Sequence, residues 1–169
     1  TLNILEIIRK TLPKCKFILG STFVVIGKTK KLPVNEFTEC NPTTLYGVNR
    51  LSSEYYTKIY NQVYGINTNI FRITNSFGPK EQIIPNKHAI TYLIHKAFKN
   101  EDITIYNDGK FFRDIIYISD VISAINCIIR KGKQGELYWI SSNKKTWFYQ
   151  IGNELEKLTT AKTKYVKQP

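Results

Sequence analysis

The sequence has no methionine, only two histidines, three cysteines, and 13 acidic residues against 25 basic ones. Each shortage excludes something. His88 and His95 lie seven apart and would share a helix face, but no acidic residue or cysteine accompanies them in the sequence, so they read as surface or boundary histidines rather than metal ligands. Cys15, Cys40 and Cys127 are widely separated, odd in number and form no C-x-x-C pair. That pattern excludes a disulfide framework and a zinc site, and it fits a reducing, cytoplasmic setting. No apolar run approaches the ~20 residues needed to span a bilayer, and the uncharged stretch from Phe17 to Gly27 already contains Gly, Ser and Thr. No signal peptide is recognisable. The lack of methionine, with a first residue already inside a helical pattern, leads us to expect a piece of a longer protein.

The shortage of acid leaves a formal charge of +12. Clustered cations would suggest a nucleic-acid partner. Here the clusters at Lys28 to Lys31, Arg130 to Lys133 and Lys144-Lys145 are short, and no basic helix face or aromatic-interleaved stripe joins them. We therefore expect no nucleic acid and no membrane among the partners.

What the chain does have is a globular composition, with 42% hydrophobic and 13% aromatic residues in 169, enough for the core of one domain. Leu2, Ile4, Leu5, Ile7 and Ile8 predict a helix over 1–11, ended by Pro13. Lys16 to Gly20 is a short apolar run suited to a parallel sheet, with Ser21-Thr22 at its carboxyl end, the position where open α/β sheets bind ligands. A polar loop leads to a long helix over about 44–64, closed by Gly65. Asn67 to Ile73 is the next predicted strand, which completes the signature of a parallel crossover unit. Further on, the pattern predicts a helix over 89–98 and strands over 103–106 and 112–116 flanking the Asn107-Asp108-Gly109 turn. It then predicts a helix over 121–129 capped by Ser119 or Asp120, a strand over 136–140 and a helix over 147–158. The Lys-rich tail shows no periodicity. The fold class is thus α/β, with no second independent domain.

Within that frame Tyr46 precedes Arg50 by one helical turn. A phenol titrates near pH 10, so a Tyr that moves protons at neutral pH needs a cation beside it, and a strand-end hydroxyl such as Thr22 could bond the same substrate oxygen. Spacing alone favours a helix-surface pair, because Tyr92/Lys96 and Tyr106/Lys110 repeat it. Asn75 alone reads as a turn residue, and Arg113 is equally readable as a surface strand residue.

Taken together, the ordered segments carry more. Ser21-Thr22, Gly27, Leu32-Pro33-Val34-Asn35-Glu36, Tyr46-Gly47-x-x-Arg50, the run from Phe71 to Pro79, and Arg113-Asp114-x-x-Tyr117-x-x-Asp120 resemble the extended short-chain dehydrogenase/reductase family. Within it they are similar to the NAD-dependent epimerase/dehydratase branch acting on nucleotide sugars. The resemblance runs from Thr1 to about Ser142. It implies the second half of a doubly wound, Rossmann-type parallel sheet plus a partial substrate-binding lobe, as one partial domain over 1–169. The sheet half would take about 1–75 and 112–130, and the lobe about 76–111 and 131–169.

The same resemblance implies the roles. Tyr46 would be the catalytic base and Thr22 the hydroxyl that bonds the same oxygen. Arg50 stands where the family has a Lys that contacts the nicotinamide ribose and lowers the Tyr pKa. Ser21 would join Tyr46 and Arg50 at the cofactor, NAD or NADP. Asn75, Ile84, Pro85 and Arg113 would bind the nucleotide sugar, Arg113 through its diphosphate. Helices 1–11 and 44–64 would pair across a homodimer.

Three departures shape the expected activity. Arg50 keeps the charge of the Lys but not its shape. The dehydratases carry acidic residues directly after the Thr, whereas Phe23 and Val24 follow here, which leaves epimerase or reductase chemistry. The loop G-x-x-G-x-x-G is missing, so this stretch alone is expected to be inactive, and a truncated non-catalytic relative is the alternative.

Overall fold

The computed structural model describes residues 1–29, 32–84 and 88–167. These residues divide into two compact units, the described parts of 1–74 with 119–140, and of 75–118 with 141–167.

The first unit is built on three parallel strands, β1 (Phe17–Thr22), β2 (Thr68–Ile73) and β7 (Leu137–Ile140), in the order β1-β2-β7. In register, Ser21 faces Arg72 and Thr22 faces Ile73, while Arg72 also faces Trp139. Helix α1 (Leu2–Thr11) precedes β1, and α2 (Leu45–Tyr64) makes the crossover from β1 to β2. The sequence dictates both ends of α2. Thr44 Oγ1 accepts from the Gly47 N–H at 3.0 Å, and Gly65 takes the left-handed conformation (φ 68°) that closes the last turn. Between β1 and α2 lies a 3₁₀ turn, Phe23–Ile26. Two glycines let backbone pass close to it. A Cβ on Gly27 would meet the Asn41 carbonyl oxygen at 1.8 Å, and one on Gly47 would meet the Val24 oxygen at 3.1 Å.

Helix α4 (Ile118–Lys131) begins before its expected caps, so that Asp120 lies in its first turn beside the positive end of the helix dipole rather than at the cap. At its far end, Lys16 Nζ donates to the carbonyls of Ile128 (2.8 Å) and Gly132 (3.0 Å), satisfying oxygens that the helix leaves open.

Leu5 and Ile8 of α1 pack with Tyr60 and Ile66. Leu2, Ile4 and Ile7, expected on the same apolar face, remain exposed. Glu6 secures the helix pair by accepting from the Tyr60 hydroxyl and the Arg9 guanidinium. Those bonds, Arg9 first, hold the Glu6 carboxyl down at about 2, and the Glu6 bond pushes Tyr60 up to about 12. A depressed carboxyl contributes stability above its unfolded value, near 4.5, and loses it as pH falls toward 2. The stability gap between the native protein and Glu6→Gln should therefore close between about pH 4.5 and pH 2, read from urea midpoints at each pH.

The second unit contains β3 (Asn75–Phe77), α3 (Ala89–Phe98), β4 (Ile103–Tyr106), β5 (Phe112–Arg113), β6 (Ile115–Tyr117), β8 (Thr146–Trp147), α5 (Phe148–Leu158) and β9 (Thr163–Val166). Its core joins Ile90, Leu93 and Ala97 of α3 to Ile103, Ile105, Phe148, Leu155 and Ala161. The strands over 103–106 and 112–116 do not form a hairpin. Strand β4 pairs in parallel with β9, β5 pairs antiparallel with β8, and β6 pairs in parallel with β3. Compared with the segments expected for sheet and lobe, residues 112–117 cluster with the second unit and β7 with the first. The Lys-rich tail, read as aperiodic, supplies β9.

Candidate active site

Four of the eight expected site residues stand in the first unit, at the carboxyl end of β1 and the start of α2. Thr22 is the last residue of β1 and is buried. Its Oγ1 accepts from the Val24 N–H at 3.3 Å, which fixes the side chain and leaves the O–H able to donate to another oxygen. Tyr46 lies in the first turn of α2 and is 51% exposed, open to a ligand. Gly47, next to it, is what allows this turn to approach Val24, two residues beyond Thr22.

Arg50 lies one turn further along α2. Its guanidinium carbon is 5.2 Å from the centre of the Tyr46 ring, and its Nη1 donates to the Gly20 carbonyl at 3.2 Å. The guanidinium therefore covers the ring face of Tyr46 while bonded to β1. Ser21, expected at the cofactor, turns its hydroxyl inward and donates to Glu54 Oε1 at 2.5 Å.

The residues that sequence reasoning missed lie behind this group. Glu54 is completely buried and holds buried Arg72 with two bonds, Nε to Oε1 at 3.0 Å and Nη2 to Oε2 at 2.8 Å. Arg72 Nη2 also donates to Cys40 Sγ at 3.0 Å, and its guanidinium carbon sits 5.6 Å from the Trp139 ring centre. Burial works against the Arg72 charge, but the Glu54 bonds and charge prevail and hold its pKa above the ordinary value. Two signals could have revealed the pair. Glu54 continues the Tyr46, Arg50 series by another four residues, and Arg72 interrupts an apolar strand, where an unpaired cation would be costly.

The other expected residues belong to the second unit. Asn75 donates from its side chain to the Asp114 carbonyl at 3.0 Å, and its backbone N–H reaches the same oxygen at 3.2 Å. Asp114 in turn accepts from the N–H and hydroxyl of Ser142, both at 3.0 Å. Arg113 is exposed, with its guanidinium 5.7 Å from the Phe111 ring centre and Nη1 donating to the Phe112 carbonyl. Ile84 is half-buried, and Pro85 lies outside the described residues. His88, read from sequence as unpartnered, has Nδ1 3.0 Å from Glu81 Oε1. The described residues contain no cluster of His, Cys, Asp and Glu that could hold a metal ion, and no helix long and apolar enough to cross a membrane.

Comparison with known proteins identifies the family. The NAD dependent epimerase/dehydratase family matches residues 1–141, and the chain belongs to that family. A putative UDP-glucose 4-epimerase of Methanocaldococcus jannaschii is 37% identical over 125 residues, 73% of this chain and 41% of the relative. The crystal structure of UDP-glucose 4-epimerase from Thermotoga maritima with UDP-glucose superposes with a TM-score of 0.89 at 26% identity, covering 99% of this chain and 54% of that one. The dTDP-glucose 4,6-dehydratase from Bacillus anthracis in complex with NAD gives 0.86 at 26% identity, again over 99% of this chain and 54% of that one. The fold is therefore the corresponding part of a Rossmann-type enzyme, and the chain spans about half the length of these relatives.

Proposed function

We propose that this chain forms part of a nucleotide-sugar epimerase that uses NAD, with Tyr46 as the group that takes the substrate hydroxyl proton. The observation that carries the reading is the exposed phenol of Tyr46 under the Arg50 guanidinium, in the helix turn that packs against the 3₁₀ turn after Thr22. The residues present suit the nicotinamide end of a dinucleotide, since a phenol, a guanidinium and a strand-end threonine gather at the carboxyl end of a parallel sheet. No glycine-rich diphosphate loop occurs in this sequence.

NAD, when bound, would accept hydride from the sugar carbon and return it. Tyr46 accepts the hydroxyl proton as hydride departs and gives it back on return. Thr22 donates to the same oxygen and orients it, and Arg50, bonded to the Gly20 carbonyl, holds its guanidinium over the Tyr46 ring. Elimination of water would need a carboxyl donor beside this pair. The turn after Thr22 begins Phe23-Val24 and carries no acidic residue, which favours epimerisation over the dehydratase reaction named for some relatives. Asn75, Ile84, Pro85 and Arg113 are proposed for the nucleotide sugar.

A homodimer through α1 and α2 accompanies the proposal. Leu2, Ile4 and Ile7 of α1 and Tyr55, Ile59 and Val63 of α2 are exposed apolar side chains that a second copy would cover.

The test is a cofactor balance on the full-length protein during turnover of a UDP-hexose. An epimerase converts many equivalents of sugar with no net oxidation or reduction of the nicotinamide. Stoichiometric consumption of reduced cofactor would make the protein a reductase instead.

A further inference from the structure

We propose that Glu54 is a positioning residue for this site, tying β1 to α2 through Ser21 and thereby setting where Thr22 stands relative to Tyr46. The inference rests on the reading of Thr22 and Tyr46 given above. Tyr46, Arg50 and Glu54 recur every four residues, so they share one face of α2. Arg50 bonds the Gly20 carbonyl and Glu54 bonds the Ser21 hydroxyl. Two successive turns of the helix thus hold two successive residues of the strand, and Thr22 is the next.

The bonding of Glu54 suits this task. Oε1 accepts from both Ser21 Oγ and Arg72 Nε, and Oε2 accepts from Arg72 Nη2. Arg72 is itself the register partner of Ser21 on β2. The carboxylate therefore grips neighbouring positions on two adjacent strands, and a slide of α2 along the sheet would break three directional bonds together. A buried ion pair adds little net stability over a well-packed apolar pair, so the consequence of this one is geometric. Displacement of a reacting group by about 1 Å can cost on the order of 100-fold in rate.

The test uses the full-length protein with Glu54→Leu and Arg72→Met combined, a change that leaves no buried charge unpaired. The expected result is a thermal midpoint close to that of the native protein, a kcat for UDP-hexose epimerisation lowered at least ~10-fold, and a KM within about threefold. Amide hydrogen exchange at Ser21 to Val24 should also quicken, a readout that needs no turnover. Ser21→Ala, which leaves the Glu54–Arg72 pair intact, should move kcat and exchange in the same direction. Native kcat and native exchange in a folded double variant overturn the proposal, and if the double variant does not fold, the same two results in Ser21→Ala do so. Tyr46→Phe is the control. If it stays active, the assignment of Tyr46 falls and this proposal with it. If it is inactive while the Glu54 and Ser21 variants behave as native, only the positioning role fails.

Discussion

Replacing Tyr46 by Phe in the full-length protein should lower kcat by at least ~100-fold, the low end of what a positioned acid-base group contributes. The change removes one oxygen and little else. Tyr46 is half-exposed and its ring, which carries the Arg50 contact, is retained in Phe. Stability should therefore stay within about 0.5 kcal/mol of the native value, as for ordinary surface substitutions. Steady-state kinetics and a urea melt on the same preparation separate the two effects. A fall in kcat with unchanged unfolding assigns the oxygen to chemistry, and near-native kcat removes Tyr46 from the mechanism.

The second large effect is on stability. Glu54→Ala should destabilise the protein by about 3–5 kcal/mol, because it leaves the Arg72 guanidinium buried without its counter-charge. That is a large share of the roughly 5–15 kcal/mol by which domains are stable. Among the described residues Arg72 Nη1 has no hydrogen-bond partner, and Cys40, which accepts from Nη2, is too weak an acceptor to replace the carboxylate. Chemical denaturation of native and variant proteins measures the difference, and a loss below about 1 kcal/mol would show that water or a rearranged partner reaches Arg72.

These two residues also show what could be read from the chain. The helix that carries Tyr46 and Arg50 was legible because its signals are local, with Gly65 closing it, whereas the pair stood out only through the resemblance. The apolar runs of β1 and β2 and their crossover were legible for the same reason, as was α3. Glu54 shares the helix face of Tyr46 and Arg50, but its bonding was not legible, since Ser21 and Arg72 lie on two strands that only the folded sheet places side by side. Strand β9 escaped because Thr163 to Val166 is half exposed and finds its partner β4 some 60 residues earlier. The partners of the strands flanking Asn107-Asp108-Gly109 were not legible, because the turn signal is local, whereas strand pairing is decided by tertiary partners. The orientation of Ser21 followed from neither spacing nor resemblance. Its hydroxyl turns to Glu54 of α2, a partner 33 residues further along the chain.

The central claim, that this chain carries the proton-transfer group of a nucleotide-sugar epimerase, is tested most directly by mixing the full-length protein, with NAD bound and no other cofactor added, with UDP-glucose. The account predicts many turnovers to an epimeric UDP-hexose with the nicotinamide oxidised again at the end, and loss of that turnover in Tyr46→Phe. Sugar turnover that proceeds unchanged in Tyr46→Phe, or that consumes one nicotinamide per sugar, would contradict it.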